Sequence, residues 1–386
     1  MKTQSNIVVF VVLLLGQCAS ERAVQRHSVF HDAHPDKPLA CKEVRVDQDL
    51  QHVLDSVPKG QVLCLKEGVY PGPIVLRKTV VLWGHAKSVI QSTGRGTTVE
   101  IQADRTHLLG LTVDGSGGRF DTLDAAIHVK ANDVRIEGCR VQHATFGILV
   151  EKVKHAVIKG NHVLGNSGAA LGLRGDGIRL WEVYHSRVED NKVAHSRDVV
   201  VWYSSNNVLK NNEVTHGRYG THFMYSHRNR IIGNRYRNNV VGVFIMYSRD
   251  IALQRNEFWH SSGAAGMGLG IKESGNLRVK HNEFIDNTVG VYLDTSPLQI
   301  EDQNDFYDNR FKFGDVAVIF HGGERANTFK GNAFFDYQTP VRVEGGGTAL
   351  NTTWRGNMFD DYVGYDMDED GVGDIPMSYA AFRINS

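Results

Sequence analysis

The chain carries no net charge: 43 lysines and arginines are matched by 43 aspartates and glutamates over 386 residues. A balanced chain has no electrostatic hold on nucleic acid or on an anionic membrane surface. Long apolar runs are missing too. The one pronounced run, residues 7–15, is nine residues long, whereas a bilayer span takes about 20. No glycine loop that could cradle phosphate leads into a helix, no His/Cys spacing suits zinc, and no nucleophile elbow is present; Gly172-Leu173-Arg174-Gly175-Asp176-Gly177 leads into a strand instead. Cysteine is scarce, with four residues in all.

The short apolar run follows Lys2 and precedes Gly16-Gln17-Cys18-Ala19-Ser20. That order is expected of a cleaved export signal over residues 1–20. Gln17 speaks against lipoprotein processing at Cys18. In an oxidising compartment Cys41 and Cys64 could pair across the first coil, and Cys139 is expected to be a buried, inert thiol. Residues 21–40 hold His27, His31, His34 and two prolines with no apolar periodicity, and are expected to form a mobile tail.

What the chain does have is a repeat. Asn161, Asn191, Asn212, Asn234, Asn256, Asn282, Asn309, Asn332 and Asn357 recur at intervals of 30, 21, 22, 22, 26, 27, 23 and 25 residues. Valine, Tyr236 or phenylalanine follows two residues after each. Each repeat also carries an alternating phrase such as Gly220-Thr221-His222-Phe223 or Gly242-Val243-Phe244-Ile245. Such short strands cannot bury a face alone, so stacking must supply the core. A unit of this length is too short for a propeller blade and lacks the leucine-rich pattern. The reading is an all-β, single-stranded, right-handed parallel β-helix over residues 41–360, with coils about 4.8 Å apart. The Asn column is placed at a tight turn, in left-handed backbone, bonded to its copies above and below. Leu50, Val53, Leu54 and Val57 share one face of a short helix expected to plug the N-terminal end. Residues 361–386 form an acidic C-terminal segment.

Strand parity decides which side chains face out. The aliphatics Ile178/Leu180, Val199/Val201, Thr221/Phe223 and Val243/Ile245 supply the continuous apolar column, so their neighbours point outward. Those outward columns read Arg179, Val200, His222, Phe244 and Trp181, Trp202, Met224, Met246. Large apolar and sulfur-bearing side chains aligned over four coils mark a contact surface or a ligand site. Thioethers from Met224 and Met246 with the imidazole of His222 are donors that favour Cu(I); His216, His227 and Met267 are further candidates. The plain alternative makes the methionines core filler and His222 a surface histidine. Trp181, Trp202 and Phe244 could serve as a docking surface.

A second motif, residues 366–374, places Asp366, Asp368, Asp370 and Asp374 around Gly371 like the front half of a calcium loop, so a structural Ca2+ or Mg2+ is expected there; Met377 stands where a bidentate Glu would close it. Solenoids of this type also host polysaccharide lyases and epimerases, for which Asp302 with Asp305, or Glu182 with Arg179 and Tyr184, are candidate groups. These lie in turns or single coils and do not form a repeated column.

The phrases Arg218-Tyr219-Gly220-Thr221-His222-Phe223-Met224-Tyr225-Ser226, Val243-Phe244-Ile245-Met246-Tyr247-Ser248 and Asn287-Thr288-Val289-Gly290-Val291-Tyr292-Leu293-Asp294 resemble the NosD family. So do Asn357-Met358-Phe359-Asp360-Asp361-Tyr362 and the run from Asp370 to Pro376. The resemblance implies a non-enzymatic periplasmic protein that supplies copper to nitrous oxide reductase during its maturation. It also implies partners: the ATPase and membrane subunits of an ABC transporter, a copper-chaperone lipoprotein and the apo-reductase. Carried over residue by residue, it puts metal handling on His222, Met224 and Met246. It does not extend to the segment that family members carry beyond the acidic motif, a natural place to hold the transporter.

Overall fold

The computed structural model describes residues 34–323, 326–346, 349–368 and 373. The expected export signal, residues 21–33 of the expected tail, and Asp370 and Asp374 of the acidic loop lie outside them. The chain winds as a parallel β-helix. One sheet of 14 strands takes a single strand from each coil, from Lys42–Val44 to Thr352–Arg355; a second network of 22 strands holds the other two strand positions of each coil. Late in the chain these two positions fuse into the 12-residue strands Glu283–Asp294, Arg310–His321 and Ala333–Glu344.

Register explains why a spacing of about 22 residues recurs. Val188, Leu209, Ile231, Leu253 and Val279 stand one above another inside the first sheet. The residue two after each ladder asparagine forms a second inward column, which turns aromatic as the chain proceeds. Tyr236, Phe258, Phe284, Phe311, Phe334 and Phe359 stack with ring centroids 4.7–5.4 Å apart. These columns merge into one apolar core running the length of the solenoid, as nearest-neighbour stacking requires.

The asparagines bond their copies as expected. The Asn234 Oδ1 accepts the backbone N–H and the Nδ2–H of Asn212, at 2.8 and 2.9 Å, while its Nδ2 donates to the Leu209 carbonyl at 3.0 Å. Cys139 takes the asparagine's place one coil before Asn161, whose Oδ1 accepts the Cys139 N–H. The left-handed backbone, however, belongs to the preceding residue. Gly160, Asp190, Asn211, Gly233, Arg255, His281, Asp308, Gly331 and Gly356 have φ between 53° and 66°. The corner is made by that outward residue, which frees the asparagine to point inward and pair.

At the N-terminal end, the helix Leu50–Ser56 is started by Asp49, whose side chain accepts the His52 N–H, and buries Leu50, Val53 and Leu54. Gln51 reaches from it to Val75, accepting that residue's N–H at 2.7 Å and donating to its carbonyl at 3.2 Å. One side chain thereby supplies pairing on the open side of the strand Ile74–Leu76, whose other side pairs with Val99–Ile101. Cys41 and Cys64 are joined in a disulfide, and Cys139 is free and buried. Within residues 34–40, the His34 ring packs edge-on to Trp83, and the Trp83 indole N–H donates to the Pro35 carbonyl at 2.9 Å.

Candidate functional site

Five consecutive strands, Ile178–Trp181, Asp198–Trp202, Tyr219–Met224, Val241–Met246 and Met267–Lys272, carry the outward columns. Their register aligns Arg179, Val200, His222, Phe244 and Gly270 in one row, and Trp181, Trp202, Met224, Met246 and Lys272 in the next. Phe223 and Ile245, between these rows in sequence, are fully buried in the core. Serines fasten the strand ends just beyond the methionines. The Ser226 Oγ accepts the Ser204 N–H, and the Ser248 Oγ the Ser226 N–H, both at 3.0 Å. The backbone that carries the two methionines is thus fixed in register.

His222 faces outward yet is only 7% exposed. Side chains from its own strand and from the neighbouring coils roof it over. The Trp202 ring stands edge-on to it at 5.4 Å, Tyr219 lies 4.9 Å away, and Phe244 lies 6.2 Å away. Phe244 in turn spreads over Gly270, where any Cβ would strike its ring. The Trp202 indole N–H donates to the His222 Nδ1 at 3.3 Å, and the His222 Nε2 lies 3.2 Å from the Met246 Sδ. Burial pushes the imidazole pKa down to about 4, outweighing the pull of Asp198 in the other direction. Near neutral pH the ring is therefore uncharged, with one lone pair that no proton occupies. Met224 stands beside Met246 in register, one strand spacing away, and both are half-buried.

The remaining candidates lie apart from this cluster. His216 occupies a corner with φ of 57° and stacks on His195 at 4.7 Å. Met267 packs with Val289, Val316, Ile319 and Tyr292. The His227 Nδ1 accepts the Arg249 N–H. Among the described residues no three His, Cys, Asp or Glu side chains come together as a metal cage. Trp181 and Trp202 meet at 5.9 Å, with the Arg179 guanidinium 5.0 Å from each ring.

Two features escaped the sequence reading. On the same coils runs an ionic chain around two buried carboxylates: Arg197 holds Asp176 at 2.9 Å and Arg218 holds Asp198 at 2.5 Å. Burial keeps the Asp176 carboxyl above the usual range, against the pull of Arg197. Beside the methionines, Tyr203, Tyr225 and Tyr247 stack at 5.4 and 4.9 Å in left-handed backbone. The repeated phrases Trp202-Tyr203-Ser204, Met224-Tyr225-Ser226 and Met246-Tyr247-Ser248 carried that second signal. The carbohydrate candidates are engaged elsewhere: Asp302 is buried against Arg249, whereas Asp305 is bonded to Gln303, and Glu182 accepts the Trp181 indole N–H.

A family model described as "Periplasmic copper-binding protein (NosD)" matches residues 167–364, just over half of the chain and all of the face just described. The chain belongs to the NosD family. A NosD of Stutzerimonas stutzeri, named "Probable ABC transporter binding protein NosD", is 28% identical over 81% of this chain and 74% of its own length. The protein of the same name from Pseudomonas aeruginosa is 25% identical over 81% and 75%. Among solved structures, the A-module of the Azotobacter vinelandii mannuronan C-5 epimerase AlgE6 superposes with a TM-score of 0.64 at 17% identity, covering 80% of this chain and 94% of the module. The catalytic unit of a Streptomyces thermodiastaticus α-1,3-glucanase gives 0.64 at 14%, covering 85% and 70%. At such identities the likeness shows the β-helix fold alone. No helix among the described residues is long and apolar enough to cross a membrane.

Proposed function

We propose that this protein binds Cu(I) on the face made by His222, Met224 and Met246 and delivers it in the periplasm during maturation of nitrous oxide reductase, in concert with an ABC transporter. The observation that carries the reading is the contact of a neutral, roofed imidazole with the Met246 sulfur, beside a second thioether in register. Soft sulfur with imidazole suits Cu(I) and is a poor set for calcium or magnesium. Copper is cargo here, and no bond is made or broken in it, so the role is that of a carrier and not an enzyme. His216 and Met267 take no part in this primary set. Trp181, Trp202 and Phe244 border the copper face and would meet the partner that gives or takes the ion, whether a copper-chaperone lipoprotein, the transporter's membrane subunits or the apo-reductase.

The test is a Cu(I) competition titration of the full chain under reducing, anaerobic conditions, with a chromophoric chelator. Stoichiometric binding is expected, lost in the double variant Met224→Leu/Met246→Leu while the circular dichroism spectrum is kept. Absence of binding in the parent chain, or undiminished binding in the folded double variant, would overturn the proposal.

A further inference from the structure

The hydrogen bond from Trp202 to His222 dictates where the imidazole keeps its proton. An indole nitrogen only donates, so the Nδ1 it addresses at 3.3 Å must be the unprotonated one. A neutral imidazole has a single N–H, which therefore sits on Nε2 and points at the Met246 sulfur 3.2 Å away. The ring nitrogen beside the thioether is thus blocked by a proton, and the nitrogen with the lone pair is occupied by Trp202. A metal ion can enter by either nitrogen. Entry at Nε2 moves the proton to Nδ1, where two N–H groups would then face each other. Entry at Nδ1 takes the place of the indole N–H itself. Both routes break the same bond.

We propose that Trp202 is the positioning residue of the copper face: its indole N–H locks His222 in the tautomer that refuses the ion, and loading copper expels the indole from its seat. This rests on the copper reading above. In the Nε2 route the proton leaves one ring nitrogen and returns at the other, so Cu(I) uptake releases no net proton. The Trp202 ring does not stand alone. It leans on Trp181 at 5.9 Å and shares the Arg179 guanidinium with it. Occupancy at His222 is thereby written into the shape of the Trp181–Arg179 surface, where a partner could distinguish a loaded from an empty carrier.

Three measurements on the full chain test this. Long-range 15N correlation NMR of the histidine-labelled, copper-free protein should show His222 protonated at Nε2 and bare at Nδ1. Trp202→Phe, which has no indole N–H to displace, should bind Cu(I) about two- to tenfold more tightly than the parent, the worth of one hydrogen bond no longer broken. Cu(I) should shift tryptophan emission in Trp181→Phe and much less in Trp202→Phe. A parent chain that binds no Cu(I) removes the copper reading and this inference together. A parent chain that binds Cu(I), but shows a proton on Nδ1 before loading or no gain of affinity in Trp202→Phe, refutes the inference alone.

Discussion

Replacing one ladder asparagine should cost far more than its size suggests. Asn234 is fully buried. Its amide makes four hydrogen bonds: Oδ1 accepts the Asn212 N–H at 2.8 Å and the Asn212 Nδ2–H at 2.9 Å, and Nδ2 donates to the Leu209 carbonyl at 3.0 Å and to the Asn256 Oδ1 at 3.1 Å. In Asn234→Ala the Asn212 N–H loses this acceptor inside the core, at about 1–3 kcal/mol, and the three other bonds add about 0.5–1.5 kcal/mol each. Some relaxation or an entering water will offset part of that, leaving about 2–6 kcal/mol. Guanidinium unfolding followed by far-ultraviolet circular dichroism and by tryptophan emission measures it, two probes being needed because stacked coils can unfold in parts. Asn166→Ala is the control. That residue is exposed and its Oδ1 accepts only the nearby Gly168 N–H, at 3.0 Å. An Asn234→Ala chain within about 1 kcal/mol of the parent, no worse than the control, would show that the ladder does not hold the coils together.

Three further outcomes are expected. Burial pushes the Cys139 thiol up to about 12, so between about pH 8.5 and 12 the unfolded chain sheds a proton that the folded chain keeps, and stability falls as pH rises. Near pH 10 the parent should have lost about 2 kcal/mol more than Cys139→Ala, relative to pH 7.5, in matched denaturation curves. Gln51→Ala removes both bonds to Val75 and should cost about 1–3 kcal/mol while raising light scattering at high concentration, as the uncovered strand edge finds other chains. Strand parity predicts that Phe223→Ala costs about 3–5 kcal/mol, whereas Met224→Leu costs less than about 1.5 kcal/mol because that side chain faces out and keeps its volume. Thermal melts of the pair would show the reverse order if the register were shifted by one.

Much of this was readable before any coordinates. The asparagine spacing named the fold, and the alternation through Thr221, His222, Phe223 and Met224 told inside from outside, because both signals live in a single coil and repeat. Contacts between coils were less legible. His222 sits at an outward position, and Trp202 and Phe244 from the coils on either side, with Tyr219 from its own strand, bury it and strip its charge. His216 is six positions from His222 in sequence, but it sits in a left-handed corner itself and stacks on His195. Met267 lies two coils past Tyr219 in register and meets valines instead. The corner conformation belongs to the asparagine's predecessor and not to the asparagine. Those predecessors are Gly, Asp, Asn, Arg and His, too mixed a set to reveal a shared backbone state.

The copper face is tested most directly by X-ray absorption at the copper edge, on the full chain loaded with one equivalent of Cu(I). Expected is a mixed shell of imidazole nitrogen and thioether sulfur, whose sulfur contribution falls in Met224→Leu/Met246→Leu and whose nitrogen contribution falls in His222→Gln. A shell of oxygen and nitrogen alone, or one identical in parent and variants, would place the ion elsewhere and contradict the assignment.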